Sequence, residues 1–137
     1  MLVRDVMSPK VVSIHDGASV KEASETMERH DVGRLPVVDA DGVVIGIVTD
    51  RDIVVSGVAK GGDYLGGPIK GIMTSSVVTI DHERTVEDAL EAMGSAKIRS
   101  LLAMHGDRLV GIVTLGDILQ TFMYGDKVLE TLGMIYG

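Results

Sequence analysis

The sequence predicts a mixed α/β (α+β) fold made of two β-α-β-β-α repeats related by a pseudo-two-fold axis. Three observations carry that reading. A repeat runs along most of the chain, short β-branched runs alternate with amphipathic helical stretches, and a glycine-containing hairpin signal falls at the same place in each copy. The repeat is plainest where GIVTDRDI (46–53) returns as GIVTLGDI (111–118). Met7 recurs as Met73, and the same spacing carries VVSI (11–14) onto VVTI (77–80), Val20 onto Val86, Ala23 onto Ala89, Met27 onto Met93 and Leu35 onto Leu101. A one-residue deletion in the second copy then aligns the two GIVT segments. Matches kept in order over so long a stretch define two supersecondary units of about fifty residues each.

Each element follows from local pattern. VVSI and VVTI read as the opening strands. Ser19 begins a capping box with Glu22, and Thr85 a weaker one with Asp88. The helices that follow put Val20, Ala23 and Met27 on one face, and Val86, Ala89, Leu90 and Met93 on the corresponding face of the second copy. RLPVVD (34–39) and SLLAMH (100–105) are strand-like; ADG (40–42) and GD (106–107) signal hairpin turns. VVIGIVT (43–49) and LVGIVT (109–114) follow as buried strands, and DRDIVVSGVA and LGDILQTFM open second helices. The expected division is a first repeat at 1–58, a glycine-rich linker at 59–68, a second repeat at 69–123 and an apolar tail at 124–137. Phe122, Met123, Tyr124, Val128, Leu129, Leu132, Met134, Ile135 and Tyr136 exceed what closing the second repeat needs, which makes the tail a candidate dimer contact.

Composition removes several function classes. Hydrophobic residues are 45% of the chain, enough for a core, but aromatics are only 3% and Trp is absent, so a base-stacking surface is not expected. A net charge of −7 opposes binding along a nucleic-acid backbone. It does not oppose a small phosphorylated ligand, which needs two or three local cations. The absence of cysteine excludes disulfides and thiolate metal sites. The N-terminal MLVRDVMSPK is charged at Arg4 and Asp5 and offers no apolar stretch of signal-peptide length, and no run approaches the ~20 apolar residues of a membrane helix. A cytoplasmic protein without a membrane partner is the expectation.

The chemistry concentrates where the GIVT strands end. Thr49 with Asp52, and Thr114 with Asp117, have the spacing of a helix cap, and a cap alone accounts for either pair. The same arrangement presents a carboxylate, a hydroxyl and free backbone N–H groups at a helix start, which suits a sugar diol with a phosphate nearby. Gly46 and Gly111 permit close backbone approach three residues before each threonine.

The ordered motifs LPVVD-x-DG and G-h-h-T-x-x-D-I (h apolar), in a chain that also carries MSPKVVSI and a second copy of the whole pattern, resemble a tandem pair of CBS domains, a Bateman module, over roughly residues 3–123. The resemblance implies a regulatory fold that binds AMP, ADP, ATP or a related adenosyl ligand, without catalysis, in two clefts between paired sheets. It implies that one cleft uses Thr114 and Asp117 for the ribose, with Lys10, Val11 and Val12 framing the adenine and Gly33, Arg34 and Pro36 beside it. The other would use Thr49 and Asp52, with Ser76, Val77 and Val78 and with Ile98, Arg99 and Ser100. Arg34, Arg51, Lys97 and Arg99 are the candidate phosphate partners, each also readable as a solvated surface charge. It further implies a homodimer, with an enzyme or transporter as a conceivable regulated partner. A dimerising interaction module with vestigial nucleotide clefts is the alternative.

The copies differ at the turn itself. Asp50-Arg51 becomes Leu115-Gly116, Pro36 becomes Leu102, and Arg34 aligns with Ser100 while Arg99 lies one place earlier. Gly116 leaves room for a phosphate and Asp50 adds charge against one, so the Asp117 cleft is expected to bind more readily. Enzyme chemistry has no visible carrier: no nucleophile elbow and no phosphate-loop ending to GGDYLGGP. Asp39 and Asp41 read as turn residues. His15, His30, His82 and His105 are scattered without ligand spacing, so no metal is expected.

Overall fold

A computed structural model describes residues 1–122 and 134–135. The elements run α1 (Val3–Val6), β1 (Ile14–His15), α2 (Val20–His30), β2 (Arg34–Val38), β3 (Val44–Thr49), α3 (Asp50–Asp52), β4 (Thr79–Asp81), α4 (Val86–Ala96), β5 (Ser100–His105), β6 (Arg108–Thr114) and α5 (Leu115–Phe122). Two compact units result, and their limits cut across the sequence repeats. Val12–Val77 forms one, and Met1–Val11 joins Val78–Gly137 in the other.

Each unit holds a three-stranded sheet, in the orders β1-β2-β3 and β4-β5-β6. The first two strands of each are parallel and the last two form an antiparallel hairpin. The hairpins turn where expected, with Gly42 at φ 80° and Gly106 at φ 64°. In the longer turn Asp39 Oδ1 accepts from the N–H groups of Asp41 (2.9 Å) and Val43 (3.0 Å), the local role expected of an Asp in a turn. The apolar helix faces close one core per unit: Val20, Ala23 and Met27 pack with Leu35, Val37 and Val48, and Val86, Ala89 and Met93 pack with Leu101, Ala103 and Val113.

The crossed limits come from two short arms that are equivalent in the repeat. Residues 1–8 serve the β4-β5-β6 unit, and residues 67–74 serve the β1-β2-β3 unit. A helix start leaves N–H groups without partners. The Met1 carbonyl accepts from Val86 N–H (3.0 Å), and the Gly67 carbonyl accepts from Val20 N–H (2.9 Å). Val3 and Ile69 are both fully buried. Further along, Ser8 exchanges both backbone hydrogen bonds with Ile112 (2.8 and 3.0 Å), and Thr74 does the same with Ile47 (2.9 and 2.8 Å). Each arm thus caps one helix and extends the sheet beside its third strand.

This arrangement explains the glycine of each GIVT. A Cβ on Gly111 would lie 2.6 Å from Met7 Sδ and 2.8 Å from the Ser8 carbonyl oxygen. One on Gly46 would lie 2.7 Å from Met73 Sδ and 3.0 Å from the Thr74 carbonyl oxygen. The close approach foreseen at these glycines is made by the chain's own arms.

Several expectations change. The opening strands are shorter than VVSI and VVTI: β1 begins at Ile14 and β4 at Thr79, because pairing starts only where Ile14 meets Val37 and Thr79 meets Leu102. The stronger capping box is the one at Thr85, where the Asp88 and Thr85 side chains each accept the other's backbone N–H. At Ser19 only the hydroxyl accepts, from Glu22 N–H (3.1 Å), since the Glu22 carboxylate lies instead 3.4 Å from His15 Nε2. Leu90 is 40% exposed and leaves the core face of α4. After Asp52 the chain winds as a π-helical turn over Ile53–Gly57 and a 3₁₀ turn over Val58–Lys60 rather than a regular helix. Three β-branched residues and a glycine favour a regular helix weakly there, and the wide turn sets Gly57 against the Tyr64 ring.

The 59–68 segment, expected as a linker, docks on its own unit: Tyr64 packs on the core, and the Leu65 carbonyl accepts from Lys21 N–H (3.0 Å). Among the described residues no helix is long and apolar enough to cross a membrane. The expected dimer contact at Met123, Tyr124, Val128, Leu129, Leu132 and Tyr136 lies outside the described residues.

Candidate functional site

The two Thr-x-x-Asp turns form by one local rule. A strand ends at a threonine in extended conformation, and the next three residues start a helix. Thr49 Oγ1 accepts from Asp52 N–H (3.0 Å) while Asp52 Oδ2 accepts from Thr49 N–H (2.9 Å). Thr114 and Asp117 repeat this at 3.0 and 3.3 Å. Both turns are therefore capping boxes, which satisfy two N–H groups at the helix start. All four residues are half-buried. In each box only Oδ2 of the aspartate takes part; Oδ1 has no protein donor among the described residues. A carboxylate oxygen without a protein donor, beside a threonine hydroxyl, can accept from a vicinal diol.

The hairpins fix what stands next to each turn. Arg34 pairs with Thr49 across β2 and β3, and Ser100 pairs with Thr114 across β5 and β6. The Gly33 carbonyl accepts from Asp50 N–H (2.9 Å), and the Arg99 carbonyl accepts from Leu115 N–H (2.8 Å). Position 33 in one unit thus corresponds to 99 in the other, and 34 to 100. The Asp50 carboxylate is held at its own turn: Oδ1 accepts from Arg51 N–H (2.8 Å), and a Cβ on Gly33 would lie 2.8 Å from Oδ2. In the other unit Leu115 packs on the core and Gly116 follows without a side chain.

The remaining expected residues divide between the units. Ser76 and Val77 follow the arm that pairs beside Ile47, in the unit that holds Thr49, Arg51 and Asp52. Lys10 and Val11 follow the arm that pairs beside Ile112, in the unit that holds Thr114, Gly116 and Asp117. Val12, Gly33, Arg34 and Pro36 belong to the first of these units, and Val78, Ile98, Arg99 and Ser100 to the second. Pro36 is fully buried within β2, so its side chain shapes the strand and presents no open face; Leu102, its counterpart, is buried as well.

Lys10, Arg34, Arg51, Lys97 and Arg99 are exposed. None joins the ion pairs among the described residues, which are Arg4–Glu83, His15–Glu22, Lys70–Asp16 and Arg84–Asp88. Lys97 ends α4 in the left-handed region (φ 56°), as Asp31 ends α2 (φ 52°). Sequence reasoning missed the arms as neighbours of the turns. The alignment of Met7 with Met73 marked their equivalence but not the sheet each would join.

Comparison with known proteins agrees with this architecture. The CBS domain family matches residues 3–57 and 69–124. The CBS domain-containing protein YhcV of Bacillus subtilis is 36% identical over 116 residues, covering 85% of this chain and 81% of that protein. Hypoxic Response Protein I, solved with two coordinated zinc ions, superposes with a TM-score of 0.79 at 30% identity, covering 88% of this chain and 98% of the other. The CBS domain pair of protein MJ0100, in complex with 5-methylthioadenosine and S-adenosyl-L-methionine, gives a TM-score of 0.77 at 31% identity over 89% of this chain and 95% of the other.

Proposed function

From the premise that the chain belongs to the CBS-domain family and carries two copies of the domain, we propose that it is a non-catalytic sensor of adenosyl ligands, with AMP, ADP and ATP the first candidates. The observation that carries this reading is the repeated capping box whose aspartate keeps one oxygen free, at Asp52 and again at Asp117. In this account the ribose 2′ and 3′ hydroxyls donate to that oxygen and the threonine hydroxyl lies beside it. Backbone groups and apolar side chains of Val11, Val12, Val77 and Val78 take the adenine, in keeping with a chain that has 3% aromatics. Arg34, Arg51, Lys97 and Arg99, free of ion pairs among the described residues, meet the phosphates. The complex of the MJ0100 pair with two adenosyl compounds supports the ligand class.

The sensor works as a cytoplasmic homodimer whose shape reports occupancy to an enzyme or transporter. A ligand shifts such an equilibrium only by its differential affinity for the two shapes, so binding at Asp117 and Asp52 must couple to a change around those turns. Calorimetric titration with AMP, ATP, NAD and S-adenosylmethionine tests the reading. Heat with at least one adenosyl ligand is expected; no heat with any of them, in folded ligand-free protein, contradicts it.

One observation favours a second reading, a protein-interaction module with vestigial clefts. The π turn exposes Val54 (56%) and Val55 (49%), and the 3₁₀ turn after it exposes Val58 (49%), apolar side chains of the kind that partners cover. Under that reading Asp117→Ala leaves function intact, whereas Val55→Asp abolishes association.

A further inference from the structure

We propose that His82 and His105 form a two-imidazole site for a late first-row divalent cation, Cu²⁺ ahead of Ni²⁺ and Zn²⁺, at the hairpin end of the second sheet. The two residues lie far apart in sequence and carry no ligand spacing. The parallel pairing of β4 and β5 brings them together: Asp81 stands opposite Met104, so the next residues, His82 and His105, come side by side. The His82 N–H donates to the Met104 carbonyl (2.9 Å) and its carbonyl accepts from Arg4 N–H (2.9 Å), which holds its backbone from both sides. His105 is held by its pairing with Arg108 across the tight Gly106 turn.

The side chains then meet nitrogen to nitrogen. His82 Nε2 and His105 Nδ1 are 2.7 Å apart, with ring centroids at 4.8 Å and planes at 74°. The two ring nitrogens are within hydrogen-bond distance, with donor and acceptor set by the tautomers, and a metal ion can lie between them instead. At metal–nitrogen distances of about 2.0–2.1 Å, a right-angle bite sets the two nitrogens about 2.9 Å apart and a tetrahedral one about 3.4 Å. A small turn of the rings reaches the first value, and tetragonal geometry with nitrogen ligands is the preference of Cu²⁺ and Ni²⁺. No cluster of three or more His, Cys, Asp or Glu surrounds the pair among the described residues, so water completes the coordination. Protons compete for both nitrogens, so binding weakens on acidification. Ser100 pairs with Thr114 at the opposite end of the same hairpin, roughly 17 Å from His105 along the strand. The metal site and the Thr114–Asp117 turn are therefore separate.

The test is calorimetric titration of the full chain with CuCl₂, NiCl₂ and ZnCl₂, together with electron paramagnetic resonance of the Cu²⁺-loaded protein. One ion per chain is expected, with affinity in the order Cu²⁺ above Ni²⁺ and Zn²⁺ and with hyperfine lines from two nitrogens. His82→Ala and His105→Ala should each weaken binding by roughly tenfold or more, and His15→Ala with His30→Ala should leave it unchanged. Binding that survives in the His82→Ala/His105→Ala double variant overturns the proposal. So does a spectrum without two nitrogen ligands, which the unsubstituted protein reports even if a variant fails to fold.

Discussion

The turns at Thr49–Asp52 and Thr114–Asp117 share one capping geometry and differ in almost everything around it. At the first, a carboxylate and a guanidinium follow the threonine, Arg34 stands opposite it, and the helix passes at once into a π turn. At the second, a core leucine and a glycine follow, Ser100 stands opposite, and the regular helix α5 runs on. The comparison separates two roles that one sequence motif combines. The Thr and Asp join strand to helix in both units, so the cap accounts for their recurrence, and the ligand reading rests on the aspartate Oδ1 that each cap leaves without a protein donor among the described residues. The electrostatic surroundings are free to diverge, and they do.

The largest effects should come from the glycines that admit the arms. Gly111→Ala places a methyl group against Met7 Sδ and, at 2.8 Å, against the Ser8 carbonyl; Gly46→Ala leaves 3.0 Å to the Thr74 carbonyl. Methionine can yield and backbone cannot, so both lose stability on the overpacking scale of about 1–3 kcal/mol, Gly111→Ala the more. Urea unfolding ranks them, and a larger loss at Gly46 would break the equivalence of the arms.

Next come the caps. Thr114→Ala and Thr49→Ala should each cost about 1 kcal/mol, with the greater loss at Thr114 because its box starts the longer regular helix. Thermal unfolding of the two variants and of Thr114→Ser, which keeps the acceptor and should stay near the parent, decides this. Removing the carboxylate that only the first turn carries sharpens the comparison further. Asp50→Leu, which keeps the Arg51 guanidinium, should raise the affinity of that turn for a phosphorylated ligand within about tenfold. An unchanged affinity would mean that Asp50 is neutral to the ligand.

The smallest effect is a pH dependence at Thr85. The hydrogen bond with the Thr85 side chain, then the Thr85 N–H and the Arg84 guanidinium, hold the Asp88 carboxyl below its ordinary 3.8. A carboxyl depressed on folding contributes stability above its unfolded value and loses it as pH falls through the folded one. The parent should therefore be more stable than Asp88→Asn at neutral pH, and the two should converge as pH drops below about 4. Curves that stay parallel through that range would rule out the charge as the cause.

Much of this was legible in the sequence, because repetition doubled each signal. The hairpins, the helix faces and both Thr–Asp boxes follow from short-range pattern, and the CBS pair from their order. What escaped depended on long-range pairing or on competition between partners. Nothing local in MLVRDVMS says that it caps α4 and lies beside β6. Nothing in Glu22 says that His15 will draw it from Ser19. His82 and His105 met only when two parallel strands set them in register. The glycines of GIVT permit close backbone approach, but nothing local says that what approaches is the chain's own Met7–Ser8 and Met73–Thr74.

The claim at the centre is that the two turns are alike as caps and unlike as binding elements. Calorimetric titration of one adenosyl ligand that binds the parent, repeated on Asp52→Ala and Asp117→Ala, addresses it most directly. The account predicts similar small losses of thermal stability in both variants, with the tighter binding event lost only in Asp117→Ala. Equal loss of affinity in the two variants, or tight binding that survives Asp117→Ala and disappears in Asp52→Ala, would contradict it.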